Sequence, residues 1–321
     1  MIGSIVAKEL VEHRRDGRVL GIAVLIAALL LVSLVTGWSA QTLQRHALGT
    51  AQTDDQATFL KQEEKPPHSA AHFGRMAYKP LPALGIFDPG AMPYLGQVVW
   101  LEAHRRNPAM FRAAEDSPEL RRLADLSVAG ILQLLLPLLI FLMGYATFAG
   151  ERERGTLRQV LSAGPGIRSL FAGKLAAVAG SGVAVALAAV GASTALGATA
   201  DGSAWDTIVR GSGLALGYIL YVVLLAAVAL FVSARSRNAA AALLILLSAW
   251  ALSVVAVPRI AASVAERAYP TPDIAVFRSE ASEAIRAGRP DRNSEEYRAL
   301  ERLALSRAMG RDVTADEVAR M

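Results

Sequence analysis

Cysteine is absent from this 321-residue chain, which excludes a disulfide framework and any thiolate metal site. Charge is scarce too: Asp, Glu, Lys and Arg make up 19% of the residues, against 53% that are hydrophobic. A soluble domain rarely combines those fractions with a mean hydropathy of +0.37. There is no GxxxxGK[ST] loop either. Such a loop cradles phosphates on backbone amides, so any ATP chemistry belongs to another chain.

What is present is a series of apolar blocks. A helix needs about 20 apolar residues to cross the hydrocarbon core. Five stretches reach that length without Lys, Arg, Asp or Glu: Val19–Trp38, Leu126–Phe148, Leu175–Gly197, Gly211–Val232 and Ala239–Val257. A charge at mid-bilayer costs a few kcal/mol, and five clean windows are hard to reconcile with buried soluble helices. The expected fold is therefore all-α, a polytopic transmembrane helix bundle in a lipid bilayer. Gly213 with Gly217, and Gly191 with Ala195, have the small-xxx-small spacing that lets helices approach closely, or they are permissive fillers. The first block is too long for a signal-peptide core and reads as an uncleaved anchor.

The net charge of +5 would suit nucleic acid. In a membrane protein it reads instead as basic loops facing the cytoplasm, and no nucleic-acid partner is expected. Lys8, Arg14, Arg15 and Arg18 precede the first span; Arg152, Arg154, Arg158, Arg168 and Lys174 lie between the second and third. Arg235 and Arg237 follow the fourth, whereas Asp201–Arg210, between the third and fourth, has two acids and one Arg. The positive-inside rule places the N-terminus in the cytoplasm, in a cytoplasmic (inner) membrane.

The chain then divides into a cytoplasmic amphipathic helix (1–18), a first span (19–38), an extracytoplasmic insert (39–125) and a second span (126–148). A cytoplasmic loop (149–174) leads to spans at 175–197, 211–232 and 239–257 and to an extracytoplasmic tail (258–321). The insert holds Pro66, Pro67, Pro80, Pro82, Pro89 and Pro93 and reads as irregular first, then helical from Val98 to Leu126. In the tail, Tyr297, Leu300, Leu303 and Leu305 among mixed charges predict an amphipathic helix over Ser294–Met309.

The loop is the most informative segment. Acids open a short helix over Glu151–Ser162, Leu157, Val160 and Leu161 share one face, and Gly164-Pro165-Gly166 ends it. A short helix held between two spans is a lever that a partner can press. The alternative is a loop whose charges merely fix topology.

This segment resembles the first cytoplasmic loop of type-2 ABC exporter permeases. The shared positions are Glu151, Glu153, Gly155, Thr156, Leu157, Leu161, Ser162, Arg168, Gly173 and Lys174, and Arg158 lies among them. The resemblance implies that the loop is the coupling helix seated on a separate ABC ATPase subunit, which binds ATP-Mg, so that this chain is a non-catalytic permease. A second permease copy, or a related permease, would complete a dimer. It also makes Ile2–Arg15 the connecting helix beside the ATPase, where an ordinary charged anchor would serve equally. Tyr94-Leu-Gly-Gln, Leu101-Glu-Ala-His-Arg-Arg-Asn107 and Leu132-Gln-Leu-Leu-Leu-Pro137 look like the subgroup with a large external insert. That family has a sixth span, so the chain reads as truncated before it.

Gln133 and Pro137, polar and helix-kinking at membrane depth, suit either the translocation path or packing. His68 and His72 are four apart, but Pro66-Pro67 precedes them; they read as loop histidines, and His104 as a residue of a solvated helix. No metal site and no bound cofactor are expected. An intramembrane enzyme would need an acid pair, a Ser/Lys or Ser/His pair or HExxH at depth, which the five blocks lack. A non-transporting scaffold or sensor, with a ligand-binding insert, shares the topology and is the alternative function.

Overall fold

The computed structural model describes residues 2–111, 127–164, 166–199, 204–288, 294–314 and 317. Contacts divide the chain into two units, Met1–Val255 and Ala256–Met321. In the first, α1 (Ile2–Arg15) is followed by α2 (Gly17–Leu60), and the bundle continues with α5 (Val128–Gly144), α6 (Ala149–Glu153), α7 (Thr156–Ser162), α8 (Ile167–Ala198), α9 (Ala204–Arg235) and α10 (Ala239–Ala251). Among the described residues five segments are long and apolar enough to span a membrane: Gly17–Leu60, Val128–Glu153, Ile167–Ala198, Ala204–Arg235 and Ala239–Ala268. The fold is the expected all-α polytopic bundle.

The helices outrun the apolar windows. A window stops at the first charge, whereas a helix continues until something caps it. α2 starts at an Asp16 side chain that accepts from the Arg18 amide at 2.9 Å and runs 44 residues, about 66 Å at 1.5 Å per residue. That is roughly twice the hydrocarbon thickness. α8 begins at Ile167 rather than near Leu175, which places Lys174 inside a helix. The expected loop at Asp201–Arg210 is already helical from Ala204, and its residues 201–203 lie outside the described set.

α5 is the central helix: 67% of the apolar window it carries is buried, against 11% for the window within Ala239–Ala268. Leu132, Leu136 and Ile140 are wholly enclosed. Pro137 sits buried within the helix without ending it. Proline removes a ladder hydrogen bond, and in the same turn the Trp250 indole N–H donates to the Leu134 carbonyl at 3.0 Å. Close helix approach occurs at a glycine outside the expected motifs. A Cβ at Gly182 would meet Val222 Cγ1 at 2.9 Å and Ile140 Cγ1 at 3.2 Å, whereas Cβ atoms at Gly191, Gly213 or Gly217 would meet nothing within 4 Å.

The insert departs from its expected course. Its first quarter is not irregular but the far half of α2, ending at Leu60. The segment expected to be helical from Val98 is instead a strand: β1 (Arg75–Tyr78), β2 (Val98–Glu102) and β3 (Arg105–Arg106) form an antiparallel sheet in the order β1-β2-β3. Val98-Val-Trp-Leu is β-branched and aromatic, and antiparallel pairing with Arg75–Tyr78 fixes it as a strand. Residues 112–126 of that expected helix lie outside the described set. His104 therefore sits on no helix; it is in the β2–β3 turn with φ +63°. α3 (Pro67–Phe73) precedes β1, and a 3-10 turn at Ala83–Ile86 and α4 (Met92–Leu95) lie between β1 and β2.

The 3-10 turn docks the insert on the bundle. Gln41 of α2 donates to the Pro82 carbonyl at 2.7 Å, the Ala129 amide donates to the Phe87 carbonyl at 3.1 Å, and the Phe87 ring meets Tyr218 edge-on at 5.7 Å. Beside it lies a cavity of about 590 Å³ lined by Leu29, Ser33, Gln41, Gly85, Gln97 and Ile131 among others.

The second unit holds α11 (Val257–Ala268), α12 (Ile274–Ala287) and α13 (Glu295–Met309). The predicted tail helix is present: Ser294 caps it, its hydroxyl accepting from the Tyr297 amide at 3.1 Å.

Candidate functional site: a surface helix clamped to four others

α5 ends in a turn at Tyr145–Phe148 before α6. A single hydroxyl holds that turn: Ser233 of α9 donates to the Tyr145 carbonyl at 2.7 Å and accepts from the Phe148 and Ala149 amides at 3.0 and 3.1 Å. Backbone groups at a helix break need partners, and a serine on the neighbouring helix supplies three contacts at once.

Three consecutive residues of α6 then reach in different directions. Glu151 turns inward and is 3% exposed. Its Oε1 accepts from Lys174 Nζ of α8 at 2.9 Å and from Lys8 Nζ of α1 at 2.6 Å. Arg152 donates to the Ala234 and Ser236 carbonyls at 2.7 and 2.6 Å, satisfying the C-terminus of α9 with a cation. Glu153 accepts from the Ala239 amide at the start of α10 at 3.3 Å, an anion at a helix N-terminus. One segment is thus tied to α1, α8, α9 and α10.

The centre of this clamp is Lys174, 1% exposed. Its three donors meet Glu9 at 2.7 Å, Glu151 at 2.9 Å and the Thr147 carbonyl at 2.9 Å. Glu9 is itself 2% exposed and is also met by Lys8 at 3.1 Å. Two ammonium groups therefore face two enclosed carboxylates. α1 can come this near because position 173 is glycine: a Cβ there would lie 2.8 Å from Ile5 Cγ2. Burial acts to lower the Lys8 ammonium, but its hydrogen bond to Glu151, with Glu9 beside it, prevails and pushes the group up.

Burial pushes the His13 imidazole of α1 below its ordinary value; Glu9, the Met143 carbonyl and Glu12 pull the other way, and Lys174 adds to the lowering. The folded protein therefore resists a proton that the unfolded chain accepts near pH ~6.5. The associated stability is complete above that pH and is lost as pH falls through it. Thermal unfolding in detergent, followed from pH about 7.5 to about 5, is expected to steepen below the histidine range in the native chain and to flatten in His13→Gln. Equal slopes in both would remove His13 from the account.

The sequence-predicted residues separate into two groups. Glu151, Gly173 and Lys174 are buried, Glu153 is bonded to α10, and Gly155, at φ +73°, makes the left-handed turn into α7. The Thr156 hydroxyl donates to the Glu151 carbonyl at 3.2 Å, and Leu157 packs on the core. Arg158, Leu161, Ser162 and Arg168 remain exposed, Leu161 by 38%. Gln133 and Pro137 sit apart from the clamp on α5. Gln133 is exposed and borders the Tyr218 hydroxyl, while Pro137 is enclosed. Sequence reading took Lys8 and Arg152 only as basic flanks of the spans and did not single out Glu9 or Ser233 as site residues.

A family model for ABC-2 family transporter proteins matches residues 4–285. The chain belongs to the ABC-2 transporter family. No curated protein is matched. This ABC-2 family member is a multi-pass membrane permease of an ABC transporter, a class that works with an ATPase subunit.

Proposed function

We propose that this ABC-2 permease is an exporter subunit of the inner membrane, with its N-terminus in the cytoplasm, driven through the 149–174 loop. α7 is the coupling helix, and its exposed Arg158, Leu161 and Ser162, with Arg168 beyond them, form the face that meets the ATPase, where ATP-Mg binds. Glu151, Glu153 and Lys174 act behind that face as struts. A second permease copy, or a related permease, completes the transporter. Gln133 belongs to the path and Pro137 to packing.

The observation that carries this reading is the clamp of Glu151, Arg152 and Glu153 onto four separate helices. A displacement of α7 cannot stay local, because well-packed elements transmit it rather than absorb it. A loop that served only to fix topology would need no such bonds.

The cysteine-free chain allows a direct test. Ser162→Cys should react with a membrane-impermeant maleimide only after cells are permeabilised and should cross-link to the ATPase subunit, whereas Thr58→Cys in the insert should label on intact cells. Labelling of Ser162→Cys from outside would overturn both the topology and the coupling role.

A further inference from the structure

His68 and His72 lie one helical turn apart on α3, whose Pro67 is set for a first helical position. Their Nε2 atoms are 3.2 Å apart. The β2–β3 turn brings in His104, with ring centroids 5.6 Å from His68 and 5.2 Å from His72. One ligand nitrogen from each ring lies within 4.8 Å of the other two. We propose that these three imidazoles form a binding site for a borderline divalent transition metal of the Zn2+ class.

The metrics fit. Two nitrogens each ~2.0–2.1 Å from a tetrahedral Zn2+ are about 3.3 Å apart, close to the observed His68–His72 separation, and the His104 nitrogen, within 4.8 Å of both, has to swing inward to complete the set. A hydrogen bond between neutral tautomers would account for the first pair but gives His104 no reason to join it. The backbone is arranged to deliver that residue. The Ala103 amide donates to the Ala71 carbonyl at 3.1 Å, joining the turn to α3 between the three side chains. Gly74 ends α3 at φ +73°, where a Cβ would collide with the Trp100 indole of β2. His104 itself holds φ +63°, a left-handed conformation uncommon for a side-chain-bearing residue and concentrated at functional sites. Three imidazoles with no carboxylate among them select Zn2+, Cu2+ or Ni2+ over Ca2+ and Mg2+, which want oxygen. All three side chains are exposed, so a fourth position is open to water or a ligand. The bound ion would rivet α3 to the hairpin.

The test uses the untagged full-length chain in detergent, titrated with Zn2+ and with Co2+ as a visible-absorption reporter. One ion per chain is expected, with affinity falling by more than about 100-fold in His104→Asn, beyond the loss typical of an outer-shell partner. His46→Asn, on α2, should bind as the native chain does. His104→Cys should retain Zn2+ and add a thiolate-to-Co2+ charge-transfer band, which a merely misfolded variant cannot produce. Equal affinity in the native chain and His104→Asn, or absence of that band, would overturn the site. The result is independent of transport and of the ATPase.

Discussion

Lys174→Met is expected to cost about 3–5 kcal/mol, the usual price of removing one partner from a buried ion pair. The side chain is enclosed, and its amine is the shared donor to Glu9 and Glu151 at 2.7 and 2.9 Å. Without it, two carboxylate oxygens gathered around one point face each other with only Lys8 between them. Glu151 Oε2 is already buried without a hydrogen-bond partner among the described residues, so that carboxylate has little to fall back on. Thermal unfolding in detergent should show the loss. Adding Glu9→Gln to Lys174→Met should recover part of it, because a neutral amide no longer repels Glu151. The two single losses should therefore not add. Strict additivity would mean that the cluster is not a strut and that Lys174 matters only through its alkyl stem.

The bundle was legible because lipid demands something simple of a sequence: about 20 apolar residues per crossing. Leu132, Leu136 and Ile140 satisfy that demand and then make the core of α5. What lipid does not specify was harder to read. Thr42–Leu60 carries enough Gln, Thr, Asp and His to look like a loop, yet it continues α2, since helix propagation needs no apolar face once the first turns are fixed. Val98–Glu102 is too short for periodicity to separate strand from helix, and only pairing with Arg75–Tyr78 decides it. The loop was legible as helical, although Gly155, at φ +73°, splits the single helix expected over Glu151–Ser162 into α6 and α7, and Glu151 and Lys174 stood out only as positions of the loop it resembles. Their burial was not legible, because it depends on Glu9, 142 residues away from Glu151 in sequence, and on the missing Cβ of Gly173. His104 stayed hidden for the same reason: a turn four residues beyond Trp100 brings it to α3, and no local pattern announces that.

Burial also determines which substitution can test coupling. Changing Glu151 or Leu157 would disturb the clamp and the core together, and a loss of transport could then be simple misfolding. Arg158→Glu with Leu161→Asp changes only exposed positions of α7. Substitutions at such sites usually alter stability by within about 0.5 kcal/mol, so the unfolding midpoint should hold. Recovery of the ATPase subunit on purification in mild detergent should fall steeply. A hot-spot pair at an interface contributes about 2 kcal/mol or more, roughly a 30-fold loss of affinity. Stimulated ATP hydrolysis should fall with it. Thr58→Ala, which trims an exposed hydroxyl of the insert already satisfied by the Asp54 carbonyl at 2.8 Å, should leave both readouts nearly unchanged. If the double variant retained the ATPase and full hydrolysis, the driving partner would have to grip some other surface, and the four-helix clamp would be a brace for the bundle rather than the base of a lever.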